Sequence, residues 1–165
     1  MSQKDSMIRL KKELEDMTKK NVNNLISLFP RKNNFYIWDV ILFGPPNTIF
    51  EGAIINSEIT FPLEYPHKAP QFRFITNLFH PNVYPDGKVC ISIAHEGEDV
   101  FGEEDKSVRW TPTQTIETFL LSILSILDSP NIYSPANVDA SLLWRDNKDE
   151  YKKRIYNMVS RSQTV

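Results

Sequence analysis

The chain is organised around HPNVYPDGKVCISI, residues 80–93, a stretch that contains its only cysteine, Cys90. A lone cysteine excludes an intrachain disulfide and any zinc site built on cysteine pairs. Cys90 is therefore a buried structural thiol or a nucleophile. The segment YPDG at 84–87 predicts a tight turn, because proline suits its second position and glycine accepts a positive φ. Such a turn can bring the side-chain amide of Asn82 near the Cys90 sulfur, where an amide donor helps an oxyanion to form during acyl transfer.

The composition fits one globular domain with a sizeable core, since 41% of the 165 residues are hydrophobic and 24% are charged. The formal net charge of -2 provides no overall basic field, so we expect no nucleic-acid partner. The N-terminus lacks the apolar run of a signal peptide, and the longest apolar-rich stretch, 116–127, is too short to span a bilayer. A single thiol without an export signal favours a cytoplasmic or nuclear location and no direct membrane anchor.

Two kinds of hydrophobic periodicity divide the chain into helices and strands. Four apolar residues between positions 7 and 17 recur at helical spacing and predict an amphipathic N-terminal helix. Alternating apolar residues predict strands at 35–43, 51–61 and 71–76, with a possible first strand within 25–29. The short connections between these strands favour an antiparallel meander.

Helices are expected after the strands. The segment WTPTQ at 110–114 predicts a helix start, with Thr111 as the N-cap and Gln114 completing a capping box. The helix that follows is apolar on most of its surface, so we expect it in the middle of the protein. Further helices are expected from Asn137 and from about Lys148. The fold class is therefore α+β.

An acidic segment, HEGEDVFGEEDK at 95–106, follows the candidate nucleophile. Its six acidic residues and two glycines predict a loop. The loop is either simply solvated or, because it directly follows Cys90, part of the chemistry there.

Several short motifs occur in a fixed order: FPLEYP at 61–66, HPN at 80–82, cysteine at 90, WTP at 110–112 and SPANVDA at 134–140. In this order and spacing they closely resemble the ubiquitin-conjugating enzymes over nearly the whole chain. The acidic insertion is similar to that of the long acidic-loop class, the Ubc7 and Cdc34 types, and most similar to the tail-less Ubc7 type. The resemblance implies a single catalytic domain over 1–165 with an acidic loop insertion at about 95–108. It also implies an N-terminal helix, a four-stranded antiparallel meander sheet, a central helix and C-terminal helices.

The activity that this resemblance implies is acyl transfer through a cysteine thioester. Cys90 would accept ubiquitin from the ubiquitin-activating enzyme and pass it to lysines of protein substrates or of ubiquitin, with a RING-type ligase. The expected products are polyubiquitin chains for proteasomal degradation. The chain itself would need no cofactor and no metal, since ATP is used by the activating enzyme. A partner could recruit the protein to the endoplasmic reticulum membrane.

The resemblance also implies roles for residues around Cys90. Asn82 resembles the family asparagine that stabilises the oxyanion or braces the active-site loop, and both roles stay open. His80 is expected to give structural support and not to act as a general base. Tyr133 and Ser134 fall in the gate region after the central helix, where some relatives carry aspartates. The group that assists deprotonation of the acceptor lysine is therefore open as well.

Residues of the acidic loop match further family positions. His95, Glu98 and Asp99 correspond to loop positions that orient the acceptor ubiquitin in long-loop relatives.

Docking surfaces can be assigned by the same resemblance. Arg9 and Lys12 match basic positions on the first helix that contact the activating enzyme and ligases. Two loops that dock RING-type ligases correspond to 61–70, with Phe61, Pro62 and His67, and to the turn formed by Trp110, Thr111 and Pro112. His67 replaces a large apolar residue of many relatives, so we expect an altered ligase choice and weaker or pH-dependent docking.

Three alternatives compete with this interpretation. The first is a conjugating enzyme for another ubiquitin-like modifier. The second is a non-catalytic variant that binds ubiquitin or a ligase, against which Cys90 together with Asn82 argues. The third is a cysteine hydrolase, which would need a base near Cys90 and finds only His80 and His95 nearby in sequence.

Overall fold

The computed structural model describes residues 2–19, 24–94 and 109–164. Its elements are, in chain order, helix α1 (Gln3–Lys19), strands β1 (Ile26–Arg31), β2 (Asn34–Phe43), β3 (Ile54–Thr60) and β4 (Gln71–Phe74), a short 3-10 turn (Ser92–Ala94), and helices α2 (Ile116–Asp128), α3 (Val138–Asp146) and α4 (Lys148–Ser162). The predicted α+β class and its order of helix, strands and helices are confirmed.

The four strands form one antiparallel meander in the order β1-β2-β3-β4, as predicted. Trp38 pairs with Ile59, and Ile59 pairs with Phe72. Directly paired residues point to the same face of a sheet, so all three lie on the inner face, where they are buried. The observed strands are shorter than predicted at two ends. Strand β3 begins at residue 54, because residues 50–53 close a turn before it. Strand β4 ends at 74, because the N–H groups of the next two residues both donate to the Asn56 carbonyl.

Helix α2 lies in the core, as its apolar surface predicts. Six of its thirteen residues are buried: Ile116, Phe119, Leu120, Ile123, Leu124 and Leu127. Burial of each such side chain is worth about 1.5–3 kcal/mol, so this helix is a large part of what holds the domain together.

The start of α2 corrects a prediction. The N-cap is Thr115 and not Thr111: its hydroxyl accepts from the N–H of Thr118, whose own hydroxyl accepts from the N–H of Thr115. Residues 111–114 instead form a turn in which the N–H of Gln114 donates to the Thr111 carbonyl at 2.9 Å. Both threonines can cap a helix. The later start is favoured because the N–H of Ile116, the first residue of α2, donates to Glu13 of α1.

The two C-terminal helices begin where the sequence predicts. The side chain of Asn137 caps α3, and that of Asn147 caps α4. Helix α4 buries Tyr151, Ile155 and Val159 against the core. None of the helices in the described parts of the chain is both long and apolar enough to span a membrane.

Candidate active site

The predicted turn folds the cysteine segment back on itself. The N–H of Gly87 donates to the Tyr84 carbonyl at 2.9 Å, and the N–H of Tyr84 donates to the Lys88 carbonyl at 2.9 Å. Gly87 has a φ of +87°, and a Cβ there would lie 2.0 Å from the Phe74 carbonyl oxygen, so only glycine fits. After the turn, the N–H of Cys90 donates to the Asn82 carbonyl at 2.8 Å. Asn82 and Cys90 therefore lie opposite each other in a short hairpin.

Cys90 is a free, half-buried thiol at the edge of an open groove of about 360 Å³. One wall is the segment 90–93. The other is the outer side of α2 and the residue after it, where the small side chains of Ser122, Ser125 and Ser129 line the groove. The described lining residues include neither a carboxylate nor an imidazole. Within the described ranges, no group of three His, Cys, Asp or Glu side chains lies close enough to hold a metal ion.

Tyr84 contacts the Cys90 thiol, and sequence analysis assigned it only to the turn. The pKa of the Tyr84 phenol is raised, first by its electrostatic interaction with Cys90 and then by its hydrogen bond with that side chain. The predicted turn already indicates this neighbourhood. It pairs Val83 with Val89, and this pairing puts Tyr84 and Cys90 at diagonal positions of the hairpin. An aromatic side chain can span that diagonal.

The Asn82 side chain makes the contacts of a brace. Its Nδ2 donates to the Asn131 carbonyl at 2.7 Å, and its Oδ1 accepts from the N–H of Asn131 at 2.9 Å. Next to it, the Pro81 carbonyl accepts from the N–H groups of Ala136 and Asn137. The HPN segment thus holds the loop between α2 and α3, and Asn131 is a site residue that sequence analysis did not identify.

His80 is fully buried and uses both ring nitrogens. Nε2–H donates to the carbonyls of Ile126 and Leu127 at 2.9 and 3.3 Å, and Nδ1 accepts from the N–H of Asn82 at 3.0 Å. Burial lowers the pKa of His80 to about 4, so the ring is neutral at physiological pH. With both nitrogens occupied by backbone groups, His80 joins the hairpin to the end of α2 and has no nitrogen free to act as a base towards Cys90.

The gate residues lie at the far side of the groove. Ser134 lines it, whereas Tyr133 is 94% exposed beside it. The predicted loop residues His95, Glu98 and Asp99 lie outside the described residues.

The two predicted docking loops lie side by side. The indole N–H of Trp110 donates to the Pro66 carbonyl at 2.8 Å. Phe61 and Trp110 are buried, so they support the loops and are not part of their outer surface. Of the predicted docking residues, Pro62, His67, Thr111 and Pro112 are exposed or half-buried. Leu63, which sequence analysis did not single out, is also exposed.

On α1, the Lys12 side chain is exposed, whereas the Arg9 side chain is half-buried. Arg9 pairs with the buried Glu13 at 2.5 Å and donates to the Gln114 carbonyl at 3.0 Å. Arg9 therefore makes an internal contact while its side chain stays 30% exposed, and its docking role remains a prediction.

Comparison with known proteins gives one consistent result. The family model described as ubiquitin-conjugating enzyme matches residues 9–159. The chain is 45% identical to ubiquitin-conjugating enzyme E2 7 of Arabidopsis thaliana, over 94% of this chain and 95% of that protein. It is 44% identical to ubiquitin-conjugating enzyme E2 14 of the same plant, over 100% of this chain and 99% of that protein. The probable ubiquitin-conjugating enzyme E2 7 of Caenorhabditis elegans is 43% identical over 96% of this chain and 97% of that protein.

Proposed function

Because the chain belongs to the ubiquitin-conjugating enzyme family, we propose that Cys90 carries ubiquitin as a thioester and transfers it to lysine side chains. Members of this family are ubiquitin transferases, and their general partners are ubiquitin, an activating enzyme and ligases. The observation that carries the proposal is the free Cys90 thiol at the edge of an open groove with small side chains along its far wall.

The proposed loading step is an exchange of thioesters. The Cys90 thiolate attacks the carbonyl carbon that joins ubiquitin to the cysteine of the activating enzyme. A new carbon–sulfur bond forms at Cys90, and the cysteine of the activating enzyme leaves as a thiolate. The step consumes no cofactor in this chain, because the energy of the thioester comes from ATP used by the activating enzyme.

In the transfer step, a lysine amine attacks the thioester carbonyl, Cys90 leaves as a thiolate, and the nitrogen loses a proton as the isopeptide bond forms. The described lining of the groove provides no acid or base for that proton. We therefore assign lysine activation to desolvation and to polar groups of the acidic loop, including His95, Glu98 and Asp99.

The residues around Cys90 support this role by holding the groove. Asn82 ties the loop after α2 to the hairpin, and His80 ties the hairpin to the end of α2. The walls of the groove are thus connected to each other through backbone groups, which keeps the thioester position constant between loading and transfer.

RING-type ligases are the proposed helpers of transfer. Leu63 is 54% exposed between half-buried Pro62 and exposed His67, and exposed Thr111 and Pro112 lie on the adjacent loop. Leu63 and Pro112 give this surface exposed apolar side chains that a partner can cover. By resemblance to the long acidic-loop class, the proposed products are polyubiquitin chains for proteasomal degradation, made in the cytoplasm or nucleus or at the endoplasmic reticulum membrane through a partner.

Incubation with activating enzyme, ATP and ubiquitin, followed by a gel with and without thiol reductant, tests the proposal. We expect a reductant-sensitive adduct that Cys90→Ala abolishes and that free lysine discharges. Parallel reactions with other ubiquitin-like modifiers and their activating enzymes test the choice of modifier. An adduct with a different modifier alone would overturn the assignment to ubiquitin, and no adduct at all would overturn the carrier mechanism.

A further inference from the structure

One buried carboxylate, that of Glu13 in α1, connects three separate parts of the chain. Its side chain is only 7% exposed. One oxygen accepts from the Tyr65 hydroxyl at 2.7 Å and from Nε of Arg9 at 2.5 Å, and the other accepts from the N–H of Ile116 at 2.6 Å. A buried charge is stable only when paired and hydrogen-bonded, so these donors and the carboxylate depend on each other.

The three donors come from different elements. Arg9 lies one turn away on α1, Tyr65 lies in the connection 61–70, and Ile116 is the first residue of α2, directly after the turn at 110–115. Because the first N–H groups of a helix have no partner within the helix, Glu13 also satisfies the beginning of α2. One carboxylate therefore holds both proposed ligase-docking loops against α1.

The two loops are also attached to each other. The Tyr65 ring lies between those of Phe61 and Trp110, with centroid distances of 5.1 and 5.7 Å, and the Trp110 indole donates to the Pro66 carbonyl. Burial and the neighbouring Glu13 carboxylate raise the pKa of Tyr65 well above its usual range. The phenol therefore stays protonated and keeps donating to Glu13.

We propose that Glu13 is a positioning residue for ligase docking, which it controls by fixing loops 61–70 and 110–115 relative to each other through the Tyr65 hydroxyl and the Ile116 N–H. This inference rests on the proposed function. Glu13 touches neither Cys90 nor the groove, so its effect is on the docking surface formed by exposed residues such as Leu63 and Pro112.

The chain offers a matched pair of variants. Tyr65→Phe removes only the hydroxyl that reaches Glu13. Tyr36→Phe removes another buried hydroxyl that also contacts α1. This hydroxyl bonds the Ser6 hydroxyl at 2.7 Å and donates to the Gln3 carbonyl at 3.1 Å, and among the described residues it bonds neither docking loop. Both variants lose one buried tyrosine hydroxyl bonded to the same helix, so they separate loop positioning from a general weakening of α1. Glu13→Gln tests the charge itself.

The readout is the rate at which free lysine discharges the Cys90 thioester, measured with and without an isolated RING domain. The RING domain used is the one from a purified panel that most accelerates discharge of the wild-type protein. The ratio of the two rates cancels effects on loading and on the chemistry at Cys90. We expect Tyr65→Phe and Glu13→Gln to reduce this ratio by about tenfold, the size of one charge-assisted hydrogen bond, and Tyr36→Phe to change it by less than about twofold.

A second measurement follows the loops without any ligase. Hydrogen exchange should accelerate in peptides covering 61–70 and 110–117 in Tyr65→Phe and stay at the wild-type rate there in Tyr36→Phe. If Glu13→Gln does not fold, the two tyrosine variants still decide the matter.

The outcomes separate this inference from the proposed function. A wild-type protein that forms no thioester contradicts the proposed function, and one that loads but responds to no RING domain contradicts ligase docking. The third outcome is a wild-type protein that loads and responds to the RING domain, with two tyrosine variants that keep the wild-type ratio of discharge rates or lose it equally. This outcome contradicts only the positioning role of Glu13.

Discussion

The Asn82 side chain and the Asn131 backbone hold each other through two hydrogen bonds, of 2.7 and 2.9 Å, across a separation of 49 residues. Asn82 is buried, whereas the residue whose backbone it binds is exposed. The pair connects the hairpin that contains Cys90 to the loop between α2 and α3. This amide therefore holds the far side of the groove together with the Pro81 carbonyl, which accepts from the N–H groups of Ala136 and Asn137.

Replacing Asn82 by alanine should lower the free energy of unfolding by about 1–3 kcal/mol, because both bonds are lost and the buried site is left empty. Urea unfolding measures this change. Asn131→Ala is the matched control, since it keeps the backbone groups that Asn82 binds and removes only the exposed contact with the Tyr133 N–H. An equal loss in the two variants would contradict the bracing role.

Acid should destabilise the protein through His80. An unfolded histidine titrates near pH 6.5, whereas burial lowers the pKa of His80 to about 4. Between these values the unfolded state binds a proton that the folded state does not, so stability is complete above about pH 6.5 and falls as the pH drops towards about 4. The loss attributable to this residue approaches about 3 kcal/mol at the acid end.

Urea unfolding at a series of pH values checks this expectation. His80→Gln should have a shallower decline of stability across that range, whereas replacing the exposed His67 by glutamine should leave the decline as it is in the wild type. A decline that is just as steep in His80→Gln would assign the acid sensitivity to other groups.

Two buried serines should respond to alanine in opposite directions. The Ser57 hydroxyl has no hydrogen-bond partner among the described residues, so Ser57→Ala should raise the free energy of unfolding by about 1 kcal/mol. The Ser6 hydroxyl bonds Tyr36 and the Gln3 carbonyl, so Ser6→Ala should lower it by a similar amount. Chemical denaturation of both variants measures the two changes, and a stability loss in Ser57→Ala would reveal a missing partner.

The parts of the site that follow from local sequence were predictable. Proline and glycine at 84–87 favour the turn, and the turn brings Asn82 opposite Cys90 within one short hairpin. The strands and the apolar α2 were predictable for the same reason, since their periodicity is a property of neighbouring residues.

The remaining features depend on partners far apart in sequence. Tyr65 and Glu13 are 52 residues apart, and nothing local to either indicates the other. The wrong start predicted for α2 has the same cause. Thr111 has as good a capping sequence as Thr115, and the later start is the one at which the Ile116 N–H bonds the distant Glu13. The pairing of Arg9 with Glu13 was likewise not predicted from the sequence.

The central claim is that Cys90 carries ubiquitin as a thioester, and intact-mass spectrometry of the loading reaction tests it most directly. With activating enzyme, ATP and ubiquitin, the protein should gain the mass of one ubiquitin less one water, and thiol reductant should remove that mass. Cys90→Ser should gain the same mass as an ester that withstands reductant, and Cys90→Ala should gain none. An adduct that forms on Cys90→Ala, or a wild-type protein whose mass does not change, would contradict the account.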